Sequence, residues 1–352
     1  MPNDIEMQVA KELCKRFKFD MVRFTNSGTE STSHALRLAR HYTKRDKIIK
    51  FEGAFHGVQD ALLVSTKPKA HQIGEELHPN QIPSSFGIPK AVWQNTVIAS
   101  FNNIDSVKNQ FRENRGEIAA VICEPVNYNS GCITPRPGML ELLRQLTTQH
   151  GALLIFDEVL SSFRMAAGGA QEYYKVTPDL CTLAKAVANG LPLAVVAGRR
   201  EYMQVLSPLG PAAHSGTYSG HLFAVLAALA SLGEIRQPGF YGRIFANADR
   251  LYLGLTTLFD RHGVPARVQG LGARFGIYFG VTTEVTNYQD AARIDGELGY
   301  RFIRACFERG VYFHNYGKLA LGHHGFSAAH TPADIDDTLN RVEDSLKAMP
   351  TA

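Results

Sequence analysis

The residues from Gly151 to Pro192, GALLIFDEVLSSFRMAAGGAQEYYKVTPDLCTLAKAVANGLP, decide how the chain is read. Ala152 to Phe156 is continuously apolar and ends on Asp157. A short apolar run of this kind reads as a strand buried on both faces of a parallel sheet. An acid at the C-terminal end of such a strand stands where open α/β sheets bind ligands. Lys185 follows in the apolar setting CTLAKAVANGLP. The expectation is a desolvated lysine, whose lowered pKa turns the amine into a nucleophile. The ordinary alternatives are a structural acid and a lysine that reaches out to solvent.

Upstream, residues 4–18 place Ile5, Val9, Leu13 and Phe17 at helical spacing, with Asp4 as cap. Met21 to Thr25 reads as a strand, Asn26-Ser27-Gly28 as a turn, and a helix begins at Ser27 or Thr29. A small-residue turn from strand to helix leaves backbone amides free at the positive helix end, which suits a phosphate. It also suits an ordinary capped helix start. Lys47 to Phe51 is a strand, and EGAFHG (52–57) after it presents Phe55 as a plate for a flat ring, or as a buried apolar residue. Residues 65–95 are rich in Pro, Ser, Gln and Gly and read as a mobile loop covering a site. Strands follow at Val97–Ala99, Ile118–Cys123 and Leu193–Ala197, and helices at Asp105–Arg112 and Gly138–His150. This alternation predicts an α/β fold with a mostly parallel central sheet and covering helices.

The character changes after HSGTYSG and the Ala/Leu helix that starts near His221. Val264 to Phe279 gives strands around a GLGARFG turn. Helices are expected at Asp295–Arg309 and His330–Leu346, the second capped by Thr331 with Pro332 behind it. The division expected is a large domain, 1–232, and a smaller C-terminal α+β domain, 233–352.

The 352 residues are 45% hydrophobic and 20% charged, with a net charge of +4. The balance of 37 basic and 33 acidic residues, without a dense Lys/Arg tract, argues against a nucleic-acid partner. No apolar run approaches the roughly 20 residues of a membrane span. Five cysteines without a CxxC pair, and a polar start without a signal peptide, lead to the expectation of a cytoplasmic protein with reduced thiols. GLGARFG is not a dinucleotide fingerprint, because its third glycine is one place late. The chain has no P-loop, GxSxG, HExxH or zinc-spaced cysteine set. The adjacent His323 and His324 point apart on a strand, so no metal site is expected.

Six blocks in order, MVRFTNSGTESTSHALRLAR, KIIKFEGAFHG, VICEPVNYNSG, LLIFDEVLSSFR, TPDLCTLAKAVANGLP and SGTYSG, resemble the class III (fold type I) aminotransferases that depend on pyridoxal phosphate. Within them the chain is similar to the glutamate-1-semialdehyde 2,1-aminomutase branch. The PSSFGIP end of the 65–95 loop resembles the gating loop of that branch. The resemblance implies a PLP-transferase fold with pyridoxal 5'-phosphate as cofactor. It implies that Gly28 and Thr29, bordered by Ser27, bind the phosphate. Phe55 stacks on the ring where the family usually has Tyr, with His56 beside it. Glu124 lies by the cofactor and Asn129 partners the ring hydroxyl. Asp157 pairs with the pyridinium nitrogen, Val159 packs on the other ring face, and Lys185 is the Schiff-base lysine and proton-transfer base. Thr217 reaches the phosphate of a neighbouring subunit, which implies a homodimer with shared sites. The function implied is amino-group transfer, as aminotransferase or 1,2-aminomutase, between small-molecule donors and acceptors. A β-amino acid aminotransferase and an amino acid racemase stay open. Arg274, Arg164 and Lys318 are the candidate cations for a substrate carboxylate. The family also carries a segment before the first block that would supply substrate and dimer contacts. Without it, a non-catalytic or impaired PLP-fold protein stands as the alternative.

Overall fold

The computed structural model describes residues 3–315, 317 and 321–349. The chain divides into two compact units, one of residues up to Val126 with Pro135–Gln237, the other of Asn127–Thr134 with everything from Pro238 onward.

The first unit holds seven strands: β1 (Met21–Thr25), β2 (Lys47–Phe51), β3 (Thr96–Ala99), β4 (Ile118–Cys123), β5 (Leu153–Glu158), β6 (Leu180–Leu183) and β7 (Ala194–Gly198). They form one sheet in the order β1-β7-β6-β5-β4-β2-β3. β7 runs antiparallel to both neighbours, and every other pair is parallel. The consequence is that β1, β2, β4, β5 and β6 all end at the same edge of the sheet. β4 and β5 are buried along their whole length, as expected for central strands covered on both faces.

The helices of this unit are α1 (Asp4–Phe17), α2 (Gly28–Thr43), α3 (Lys90–Trp93), α4 (Ile104–Glu113), α5 (Met139–His150), α6 (Gly169–Tyr174), α7 (Arg200–Met203) and α8 (Leu222–Ile235). The cap of α1 is Asn3, whose side chain accepts from the Glu6 amide, and not Asp4. Ala35, Leu36, Leu38 and Ala39 of α2 are buried against Ile48 of β2 and the alanines of β4. This packing of α2 on the sheet fixes where its N-terminus points. The 65–95 stretch is held back on itself along much of its length. Ser65 exchanges hydrogen bonds with Asn80 and Ile82, the Thr66 amide donates to Ser84 Oγ, and Gln81 bonds the carbonyls of Trp93 and Thr96. Phe86, just beyond this pinned part, is fully exposed.

The second unit contains α9 (Phe240–Arg261), the antiparallel hairpin β8 (Ala266–Leu271) and β9 (Arg274–Phe279), α10 (Tyr288–Ala291), α11 (Gly296–Phe307), the short β10 (His324–Gly325) beside β9, and α12 (Pro332–Ala348). Its core is aromatic: Phe302 packs with Phe259, Phe279 and Phe313 at ring distances of 5.1–5.6 Å. A Cβ on Gly254 would lie 2.5 Å from Leu339 Cδ1, so a side chain there would make Leu339 of α12 shift. Thr331 and Asp334 form the reciprocal cap expected at the start of α12. The 127–134 excursion belongs here because Tyr128 Oη donates to Leu271 O (2.9 Å) and Tyr278 Oη accepts from the Cys132 amide (2.7 Å). Among the described residues no helix is long and apolar enough to cross a membrane.

Candidate active site

The shared strand edge gathers most of the residues singled out from sequence. Ser27, Gly28 and Thr29 follow β1. Phe55 and His56 follow β2, Glu124 follows β4, Asp157 is the next-to-last residue of β5 and Lys185 follows β6. Alternation of strand and helix brings segments more than a hundred residues apart to one line, the usual ligand edge of such sheets.

Ser27 caps α2: its Oγ accepts the Glu30 amide (3.2 Å) and its carbonyl accepts the Ser31 amide (3.1 Å). The amides of Gly28 and Thr29 are the first-turn donors with no acceptor within the helix. Together with the dipole of a 16-residue helix they offer a place for an anion. Gly28 lies against Val159, because a Cβ there would stand 3.0 Å from Val159 Cγ2. A side chain at 28 would therefore press on the residue expected to face a ring.

The 55–58 turn is stapled to the same helix. The Val58 amide donates to Thr29 Oγ1 (3.2 Å) and Thr32 Oγ1 donates to His56 O (2.8 Å). The Phe55 amide donates to Glu124 Oε1 (3.1 Å), which places Glu124 beneath the turn, while Phe55 itself is half-buried.

Asp157 is buried and receives three bonds: from His56 Nδ1 (2.8 Å), Thr182 Oγ1 (3.0 Å) and the Val159 amide (3.1 Å). Burial lowers the His56 pKa, with the bond to Asp157 opposing. A neutral ring would donate its Nδ1 proton to Asp157 and orient that side chain without adding a full counter-charge. That is a setting for a ligand cation such as a protonated ring nitrogen. His56 Nε2 is buried and has no hydrogen-bond partner among the described residues.

Lys185 departs from expectation. Its side chain is exposed in this chain, so its own chain does not supply the desolvation expected from the apolar run. Leu183, Ala184, Val187 and Ala188 take the buried positions. Lys185 sits between them with a φ of +48°, in the left-handed region, and turns outward. A non-glycine residue there carries backbone strain of order 1 kcal/mol, a feature that concentrates at functional sites.

Thr217 is exposed in the turn before α8. Gly216 beside it lies close to Asn26 at the start of α2, since a Cβ there would be 3.5 Å from Asn26 Nδ2. Asn129 lies in the 127–134 excursion of the second unit. Of the three candidate cations, Arg164 in the first unit donates from Nε to Leu160 O (2.7 Å). Arg274, in the second, contacts His323 Nδ1 (2.9 Å). Lys318 lies outside the described residues.

Thr182 was not legible in the sequence. It faces Asp157 across the β5–β6 pairing, and that register could not be read without knowing the strand order. Nor was Glu158, fully buried and accepting from the Ala170 and Gln171 amides and from Ser161 Oγ (3.0 Å). Glu158 thereby anchors the chain that follows the site.

The strand order, the shared ligand edge and the helix-end anion site define an α/β enzyme of the fold type I kind. Residues 1–342 match the model of the class III aminotransferase family, and the chain belongs to that family. It is 32% identical to an omega-transaminase from Sphaerobacter thermophilus, over 99% of this chain and 78% of that one, with a TM-score of 0.91. A β-phenylalanine aminotransferase from Variovorax paradoxus is 30% identical over 99% and 75% of the two chains, with a TM-score of 0.81. A glutamate-1-semialdehyde aminomutase from Pseudomonas aeruginosa PAO1 shares the fold at 24% identity, over 99% and 76%, with a TM-score of 0.85.

Proposed function

We propose that this chain transfers an amino group between a small amine donor and a carbonyl acceptor, using pyridoxal 5'-phosphate held at Lys185. The observation that carries the reading is the single strand edge where a helix-end anion site, a buried carboxylate with a neutral histidine partner and a strained, outward-turned lysine stand together. The residues present fit the cofactor. The amides of Gly28 and Thr29 would take the phosphate, and glycine at 28 leaves Val159 beside it unpressed. Phe55 and Val159 would cover the two ring faces, without the hydroxyl that Tyr would bring at 55. Asp157 would hold the ring nitrogen, with Glu124 supporting the turn that carries Phe55.

When bound, the cofactor supplies an electron sink for the carbon bearing the amine. Asp157 would support that role by holding a proton at the ring nitrogen, and His56 and Thr182 fix the direction in which its oxygens point. Lys185 would hold the cofactor through its amine, and as a free amine it would serve as the base that moves a proton at the substrate carbon. Thr217, exposed at the head of α8, would reach the phosphate of a second copy, so the working unit is a homodimer. Membership of the family and the likeness to two transaminases at 30% identity or more favour transamination over isomerisation or racemisation.

Borohydride reduction after incubation with pyridoxal phosphate, followed by peptide mapping, tests the site. A pyridoxyl adduct on Lys185 is expected, and Lys185→Ala should abolish it. Amines from an α-, β- and ω-amino acid panel should then shift the bound cofactor's visible absorbance in a single turnover. No adduct anywhere would sink the reading.

A further inference from the structure

Lys50 lies on β2, between buried apolar residues, and is 0% exposed. Its Nζ donates to Val64 O (2.6 Å), Ala54 O (2.8 Å) and Leu62 O (3.1 Å), with Thr66 Oγ1 at 3.4 Å. An ammonium has three protons, and three convergent carbonyls take them all. Those carbonyls come from both ends of one excursion. Ala54 precedes Phe55 and His56, whereas Leu62 and Val64 close the excursion further along the chain. One charged group therefore gathers the two ends of the segment that carries the expected ring plate and the partner of Asp157.

We infer that Lys50 is a positioning residue, which sets Phe55 and His56 by clamping the carbonyls of residues 54, 62 and 64. The inference rests on the cofactor reading above for its consequence, but the clamp itself is a property of the protein alone. Burying a lysine is costly unless its charge is satisfied, and the strand needs only an apolar side chain to fill that place. Burial pushes the Lys50 pKa down to about 7, and Glu124 opposes it. Glu124 accepts the Phe55 amide, so the lysine and the acid hold the same turn, one by its carbonyls and one by its amide. The hydrogen bonds of Lys50 go to backbone carbonyls and to Thr66, and through those carbonyls it holds the turn that carries Phe55 and His56.

The test uses Lys50→Met, which keeps length and removes the donors, and Lys50→Arg, which keeps the charge. A planar guanidinium does not reproduce the three-way grip of an ammonium. Hydrogen exchange of the cofactor-free proteins should rise at least about tenfold across residues 53–66 in both variants, with far-UV circular dichroism unchanged. Affinity for pyridoxal phosphate should fall at least about tenfold, and the induced circular dichroism of the bound cofactor should change. Adding Phe55→Leu to Lys50→Met should cost less than the two single losses combined, because both act on one plate. Should Lys50→Met not fold, Lys50→Arg alone decides. Unchanged exchange in a folded variant overturns the clamp. Faster exchange with wild-type cofactor affinity and dichroism overturns the positioning role. A wild-type protein that binds no pyridoxal phosphate would sink the cofactor reading instead, and exchange would still decide whether Lys50 holds the segment.

Discussion

Gly57→Ala probes the staple between the 55–58 turn and the start of α2. Gly57 has a φ of +91°, and a Cβ on it would lie 2.5 Å from Thr29 Oγ1 and 2.8 Å from Thr29 Cα. The backbone conformation alone costs alanine roughly 1–2 kcal/mol. The second clash is with main chain, which no rotamer change relieves, and overpacking of this kind adds roughly 1–3 kcal/mol. The expected loss is about 2–5 kcal/mol, large against a usual domain stability of about 5–15 kcal/mol. Relief requires the turn to move off the helix. That would break the Val58–Thr29 and Thr32–His56 bonds that fix His56 relative to Gly28 and Thr29. Urea unfolding of the cofactor-free protein should show a lower midpoint, and titration with pyridoxal phosphate a weaker affinity. Thr29→Ala added to Gly57→Ala should recover only part of the stability, because the clash with the main chain of residue 29 remains. A Gly57→Ala protein with the wild-type midpoint would refute the close packing of this turn on Thr29.

Asp157→Asn should still form the borohydride-trapped adduct on Lys185 but lose at least about 100-fold in turnover, the scale expected when a charge that steers the reaction is removed; near-normal turnover would count against Asp157 as the ring-nitrogen partner. Burial raises the Glu158 pKa from 4.5 to about 7, with the amides of Ala170 and Gln171 opposing. Between those values the native state holds a proton that the unfolded state has released. The group's contribution is thus complete below pH 4.5 and is lost as the pH rises through 7, by roughly 3 kcal/mol. Glu158→Gln should remove this fall from the stability–pH curve, and parallel curves for the two proteins would contradict it. Phe302→Ala empties the centre of the four-ring cluster in the second unit and should destabilise by about 3–5 kcal/mol, read as a lower thermal midpoint. A shift of less than about 1 kcal/mol would show that the cluster is not the core of this unit.

The sheet was legible because each central strand is a continuous apolar run bounded by turn residues. IAAVIC and LLIFDE are strands along the stretches their composition marks. The hairpin around GLGARFG and the capped start of α12 were equally local, set by a turn or a cap within a few residues. β6 escaped notice because its four residues, LCTL, carry no strand signature of their own and gain it from Leu153–Glu158 alongside. The 22-residue α9 escaped although Ile244, Ala248, Leu251, Leu255 and Leu258 keep helical spacing, because Gly242 and Gly254 within it are weak helix formers.

By itself the sequence determined the class of the fold and named the residue types of a candidate site. A strand-end acid, a lysine, a glycine turn before a helix and an aromatic–histidine pair are all local patterns with chemistry attached. Tertiary structure alone decided their partners. Thr182 reaches Asp157 through strand pairing, His56 reaches it across a hundred residues, and Lys50 joins the two ends of an excursion. It also decided that Lys185 turns outward from apolar neighbours that the sequence suggested would enclose it. The physical reason is the same in each case. Burial and hydrogen-bond geometry depend on which segments meet at the sheet edge, and strand order, not sequence distance, sets that.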